Sequence, residues 1–208
     1  MSAISVLWTV LTVVFTTLCS ISIVSPFWFE NVPDPDTFTP DNSSFAAFGL
    51  LRYCSKRHIE SVLDMDEWRD FETCSFYGSF QDIPSLFWQF SIIFYGVGLL
   101  FCLCSVVLAH VSCCRKTICG SRSVFGVAGV LQAIAVVCLV VSLLLFPFGF
   151  GTNFVEKYCG PSGLFYPGHC QISWAYTLAI MSSALFIFCP VIAKHLYVVT
   201  PRAKATVV

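Results

Sequence analysis

SLFWQFSIIFYGVGLLFCLCSVVLAHVSCCRKTICGSRS, residues 85–123, is the stretch that decides the fold class. From Ser85 to Val111 it carries no Asp, Glu, Lys or Arg. It exceeds the roughly 20 apolar residues that a helix needs to cross a bilayer core about 30 Å thick. The character then changes abruptly, with Arg115, Lys116 and Arg122 following and no acidic residue among them. A charge-free apolar run that ends in a basic cluster is a membrane span emerging on the cytoplasmic side, where Lys and Arg are retained.

Three further runs share that character, at about Ile4–Val24, Val124–Phe146 and Ser173–Val191, and none holds a charged residue. The composition agrees: 57% of residues are hydrophobic and 11% charged, against about a quarter charged in soluble domains. Four spans place both ends of the sequence beside the basic loop 112–123. The tail 192–208 adds Lys194, Arg202 and Lys204, so both are expected in the cytoplasm, with the protein at the plasma membrane. The first run reads as a retained span, because it lacks a basic leader and is longer than the 7–15 apolar residues of a signal peptide.

The connection 25–85 then falls outside the cell. It holds eleven of the twelve acidic residues against four basic ones, a net charge of −7. It also contains the sequon Asn42-Ser43-Ser44, so Asn42 is the candidate glycosylation site, which agrees with an external loop. Within this head, Asn31–Ser44 reads as an irregular Pro- and Asp-rich excursion and Phe45–Cys54 as a strand. In Ser55–Glu72, Ile59, Val62, Leu63 and Phe71 suit one face of a short helix. The acidic run from Asp64 to Glu72 lacks the central Gly and ligand spacing of a calcium loop and reads as a solvated face.

The twelve cysteines divide by topology. Cys54 and Cys74 in the head, and Cys159 and Cys170 in the second external loop 147–172, face the oxidising side. Four cysteines allow three pairings; Cys54–Cys74 and Cys159–Cys170 are favoured because each closes a loop within one connection. Cys113, Cys114 and Cys119, at the inner membrane surface, are candidates for palmitoylation. Cys19, Cys102, Cys104, Cys138 and Cys189 read as small packing residues.

Within the spans, Trp8 reads as a headgroup-level aromatic, and Trp28 equally as that or as the start of a strand. Gln132 suits an interhelical hydrogen bond, and Ala175, Ala179 and Ser183 form a small-residue stripe for close helix packing, within the bundle or against a partner. Pro190 should kink or end the fourth span. His58, His110, His169 and His195 are scattered, and no nucleophile–base set, phosphate loop or metal motif occurs. No catalytic, cofactor or metal residues are therefore assigned. Nothing points to a nucleic-acid partner: the sequence pI is near 6.4 and there is no basic patch with interleaved aromatics. Thr206-Val207-Val208 fits a ligand for a PDZ-domain scaffold, with Thr206 and Val208 as the recognised positions.

Three pieces carry a family resemblance: Ser25-Pro26-Phe27-Trp28; Cys74 followed by Ser79-Phe80-Gln81-Asp82-Ile83-Pro84-Ser85 and Trp88; and Tyr158-Cys159-Gly160 with Pro167-Gly168-His169-Cys170-Gln171-Ile172-Ser173-Trp174-Ala175-Tyr176. In these the chain resembles the lipoma HMGIC fusion partner-like tetraspan proteins of the claudin superfamily. The claudin pattern is matched by Trp28, Gly49, Leu50, Cys54 and Cys74, but Leu51 stands where claudins have Trp. The resemblance implies a membrane protein with a four-transmembrane-helix bundle topped by a small extracellular antiparallel β-sheet. It also implies a non-enzymatic accessory role, binding another integral membrane protein such as a channel or receptor. The alternative is claudin-like cell–cell adhesion, against which the head's net negative charge argues, since like heads repel.

Overall fold

The computed structural model describes residues 3–31, 46–58, 70–114 and 122–205. Among the described residues, four stretches are long and apolar enough to cross a membrane: Ala3–Val24, Leu86–Val111, Val124–Gly151 and Trp174–Val199. The helices are α1 (Ala3–Val24), α2 (Leu86–Cys114), α3 (Arg122–Leu145), a short α4 (Asn153–Cys159), α5 (Trp174–Phe186) and α6 (Phe188–Ala205). The strands are β1 (Phe29–Asn31), β2 (Ala46–Phe48), β3 (Arg52–His58), β4 (Asp70–Phe76) and β5 (Cys170–Ile172). They form one antiparallel sheet in the order β4-β3-β2-β1-β5. The combination is the tetraspan, claudin-like fold. The chain divides into two compact units, one of residues 1–21, 93–143 and 178–208, the other of residues 22–92 and 144–177.

In the first unit, the largely apolar helices are joined by a few buried polar contacts. Trp8, fully buried, donates its indole N–H to the Cys189 carbonyl (3.1 Å) and to Gln132 Oε1 (3.3 Å). Gln132 donates in turn to Thr12 Oγ1 at 3.0 Å, so one amide ties α3 to two positions on α1. Tyr95 donates to the Cys19 carbonyl (3.2 Å), and the Cys19 thiol lies 3.4 Å from Ser182 Oγ. Trp8 is thus a core residue, which corrects its reading as a headgroup marker. Its N–H, costly to strand in an apolar interior, finds partners inside the protein instead of at the headgroups. Cys104 is also corrected: it is exposed, unlike the buried Cys19, Cys102 and Cys189.

The fourth span breaks at Ile187 and resumes as α6. Pro190 has no N–H for the Phe186 carbonyl four residues back, so the helix ends there. The local turn is closed by Ile187 N–H to the Ala184 carbonyl at 3.4 Å. The helix nevertheless continues to Ala205, beyond the sequence-based end of the span at Val191.

The second unit carries the sheet. The single strand expected over Phe45–Cys54 is two, β2 and the start of β3, separated by a turn at Gly49–Leu51. That turn packs where no side chain fits: a Cβ on Gly49 would run into the Ser25 carbonyl and Pro26. The helix expected from Ser55 is strand at its described ends, 55–58 and 70–72, while Ile59, Val62 and Leu63 lie outside the described residues. Cys54 and Cys74 are direct cross-strand partners, and the register continues to His58 opposite Asp70. Pairing to another strand overrides the local spacing that suggested a helix.

Candidate interaction surface of the head

Trp28 is fully buried rather than placed among headgroups. Its backbone N–H donates to Phe48 (3.1 Å), its carbonyl accepts from Ser173 (3.0 Å), and its indole donates to the Ser22 carbonyl (2.8 Å). Those bonds register β1 against β2 and β5. On β1 and β2, Phe29 and Phe48 stack with centroids 4.9 Å apart, and Phe29 reaches Trp88 at 5.6 Å. Trp88 stacks on Phe146 at 5.4 Å with rings 13° apart, and donates to the Phe146 carbonyl at 3.0 Å. Phe150 completes the cluster against Phe29 and Phe146. Each such pair contributes roughly 0.5–1.5 kcal/mol beyond area burial. The cluster gives a small unit a dense core.

Two disulfides brace that core. Cys54 and Cys74 join across β3 and β4 with Cα atoms 4.0 Å apart. Cys159 and Cys170 join the end of α4 to β5 with Cα atoms 5.1 Å apart. Asn31 Nδ2 donates to the Tyr158 carbonyl (3.0 Å), tying β1 to α4 as well. The short helix α4 has no counterpart in the sequence reading. Its signals are Thr152 at the N-cap position and the positive-φ Gly160 that ends it, donating to the Glu156 carbonyl.

β4 forms one edge of the braced sheet among the described residues. Among the described residues, β4 pairs only with β3, so its outer backbone edge is unpaired over Asp70–Phe76. Phe76 at its end is 63% exposed and Phe80 in the next turn 48% exposed. The Arg52 guanidinium covers the Phe76 ring at 4.9 Å. Tyr77, ring-packed on Tyr53 at 5.4 Å, donates to the Gly49 carbonyl at 3.4 Å. Burial and then the neighbouring Tyr53 push its phenol above the ordinary range, so it stays a donor through the physiological range.

The small-residue stripe is not part of any exposed surface: Ala175, Ala179 and Ser183 are all buried. Cys113 and Cys114 close α2, while Cys119, Asn42, Thr206 and Val208 lie outside the described residues. Among the described residues no group of three or more His, Cys, Asp or Glu is placed to hold a metal ion. Among the described residues, the arrangement offers a braced sheet whose β4 edge is unpaired, with exposed aromatics beside it.

A family profile described as "Lipoma HMGIC fusion partner-like protein" matches residues 4–196. The chain is 32% identical over 211 residues to the LHFPL tetraspan subfamily member 2a protein of Danio rerio, covering 96% of this chain and 89% of that one. It is 26% identical to the LHFPL tetraspan subfamily member 7 protein of Xenopus tropicalis over 91% of this chain and 88% of that one. With the human LHFPL tetraspan subfamily member 2 protein it shares 38% identity over 61% of this chain and 55% of the relative. With four apolar helices, a five-stranded sheet and a match across nearly the whole sequence, the chain belongs to the lipoma HMGIC fusion partner-like family of tetraspan membrane proteins.

Proposed function

We propose that this protein is a non-enzymatic accessory subunit that binds another integral membrane protein, of the channel or receptor kind, and aids its assembly, delivery or gating. The observation that carries this reading is the edge of β4, unpaired among the described residues, beside the exposed Phe76 and Phe80, on a sheet fixed by two disulfides. An unprotected strand edge is a template for added backbone hydrogen bonds, and neighbouring exposed aromatics supply the anchors that dominate interface energies. The head's net charge of −7 favours a partner with a basic surface there. We place the head outside the cell and both ends of the sequence in the cytoplasm, on the strength of the loop charges.

The rival role is adhesion between heads on facing cells. It is disfavoured by mutual repulsion of two acidic heads. Expression in epithelial cells, with transepithelial resistance and intercellular strands measured beside capture of membrane partners, separates the two. The accessory role predicts a captured channel or receptor and unchanged resistance. New strands and raised resistance without such a partner would defeat it.

A further inference from the structure

Residues 160–173, between α4 and α5, include no Asp, Glu, Lys or Arg. Within them Gly163–Tyr166 close a tight hairpin. Gly163 N–H donates to Tyr166 O (2.9 Å) and Tyr166 N–H to Gly163 O (3.0 Å), leaving Leu164 and Phe165 at the tip. Phe165 has φ +65°. That left-handed conformation is an outlier for a bulky residue, and a turn with positive φ at its second central position ordinarily takes Gly or Asn. Instead three consecutive large side chains project outward: Leu164 is 63%, Phe165 60% and Tyr166 61% exposed.

The ring contacts of the tip lead toward α2. The Phe165 ring rests edge-on against Phe148 with centroids 4.5 Å apart, and Phe148 stacks on Phe87 at 5.5 Å. Phe87 is the second residue of the membrane-spanning stretch that starts at Leu86, where Leu86 and Phe90 are also exposed. A line of rings therefore joins the hairpin tip to the exposed apolar surface at the start of α2. We infer that the Leu164–Tyr166 hairpin is a membrane-interface anchor, its occupant the boundary between lipid headgroups and acyl chains. Leu and Phe suit the acyl side of that boundary, and a Tyr hydroxyl suits the headgroup side. The lack of charge in the segment fits burial there better than docking on a polar protein surface.

The test uses the full chain in phosphatidylcholine nanodiscs, with a benzophenone amino acid introduced at position 165 or, separately, at 164. Glu156, exposed on α4, serves as the control position. Non-reducing peptide mapping selects protein with Cys159 joined to Cys170, so that only folded chains are scored. Irradiation should give phospholipid adducts at 164 and 165 in several-fold higher yield than at 156. Equal yields at the three positions, or crosslinks only to a second copy of the chain, would overturn the inference. Adduct formation is independent of partner binding, so failure here leaves the accessory role standing, and the reverse also holds.

Discussion

Gly149 is where the packing of the head can be tested most sharply. A Cβ at this position would lie inside the indole of Trp88, overlapping Nε1 and Cδ1. Trp88 cannot step aside freely, because it is fully buried, stacked on Phe146, in ring contact with Phe29 and Phe154, and hydrogen-bonded to the Phe146 carbonyl. Displacing it forfeits a hydrogen bond of about 1 kcal/mol and aromatic contacts of roughly 0.5–1.5 kcal/mol each. Gly149→Ala should therefore destabilise the protein by about 2–5 kcal/mol, a large part of the 5–15 kcal/mol that typically separates folded from unfolded chains. The comparator is Gly96→Ala in α2, where a Cβ meets nothing within 4 Å. There alanine should be neutral or slightly stabilising, since it is the better helix former by about 1 kcal/mol. Both variants would be compared by thermal unfolding in detergent, with correct disulfide formation scored in parallel. If Gly149→Ala melted with Gly96→Ala, the tight aromatic core described for the head would be wrong.

In the first unit, a double-mutant cycle of Trp8→Phe and Gln132→Leu should return a coupling of about 0.6 kcal/mol, and no more than about 1.7, the range for hydrogen bonds between membrane helices; zero coupling by unfolding in detergent would refute the Trp8–Gln132 contact. Removing either bridge, by Cys54→Ser or Cys159→Ser, should cost about 2–4 kcal/mol on the chain-entropy model and reduce surface delivery measured by cell-surface biotinylation, whereas Cys138→Ala should leave it near normal. For the proposed orientation, Asn42→Gln should abolish an endoglycosidase-sensitive mass shift; an N-terminal tag accessible on intact cells would contradict it.

Much of this architecture was legible because lipid imposes strong rules on sequence. Uncharged runs such as Ser85–Val111 have one plausible home, and the two cysteine pairs each lie in one connection. The same rules conceal what happens inside the helices: Trp8 looks like any interfacial Trp until Gln132 and the Cys189 carbonyl are brought to it from distant sequence. The head was less readable for a related reason. Strand β3 contains Lys56 and Arg57, with no alternation of apolar and polar residues, and its partner β4 begins twelve residues after it ends, at Asp70. Its identity as a strand comes from the Cys54–Cys74 register and not from its own composition. The hairpin tip at Phe165 was invisible as well, since a positive φ on Phe runs against what turn propensity predicts.

Whether the β4 edge of the sheet holds a membrane partner can be read by placing a benzophenone amino acid at Phe76 in the full chain and irradiating intact native cells before lysis. Phe76 ends β4 and is well exposed, so the substitution leaves the buried core in place. Covalent crosslinks to an integral membrane protein of the channel or receptor class are expected, and they should be lost when Phe80→Ser removes the neighbouring aromatic. Crosslinks only to lipid, or only to further copies of this chain on a facing cell, would contradict it.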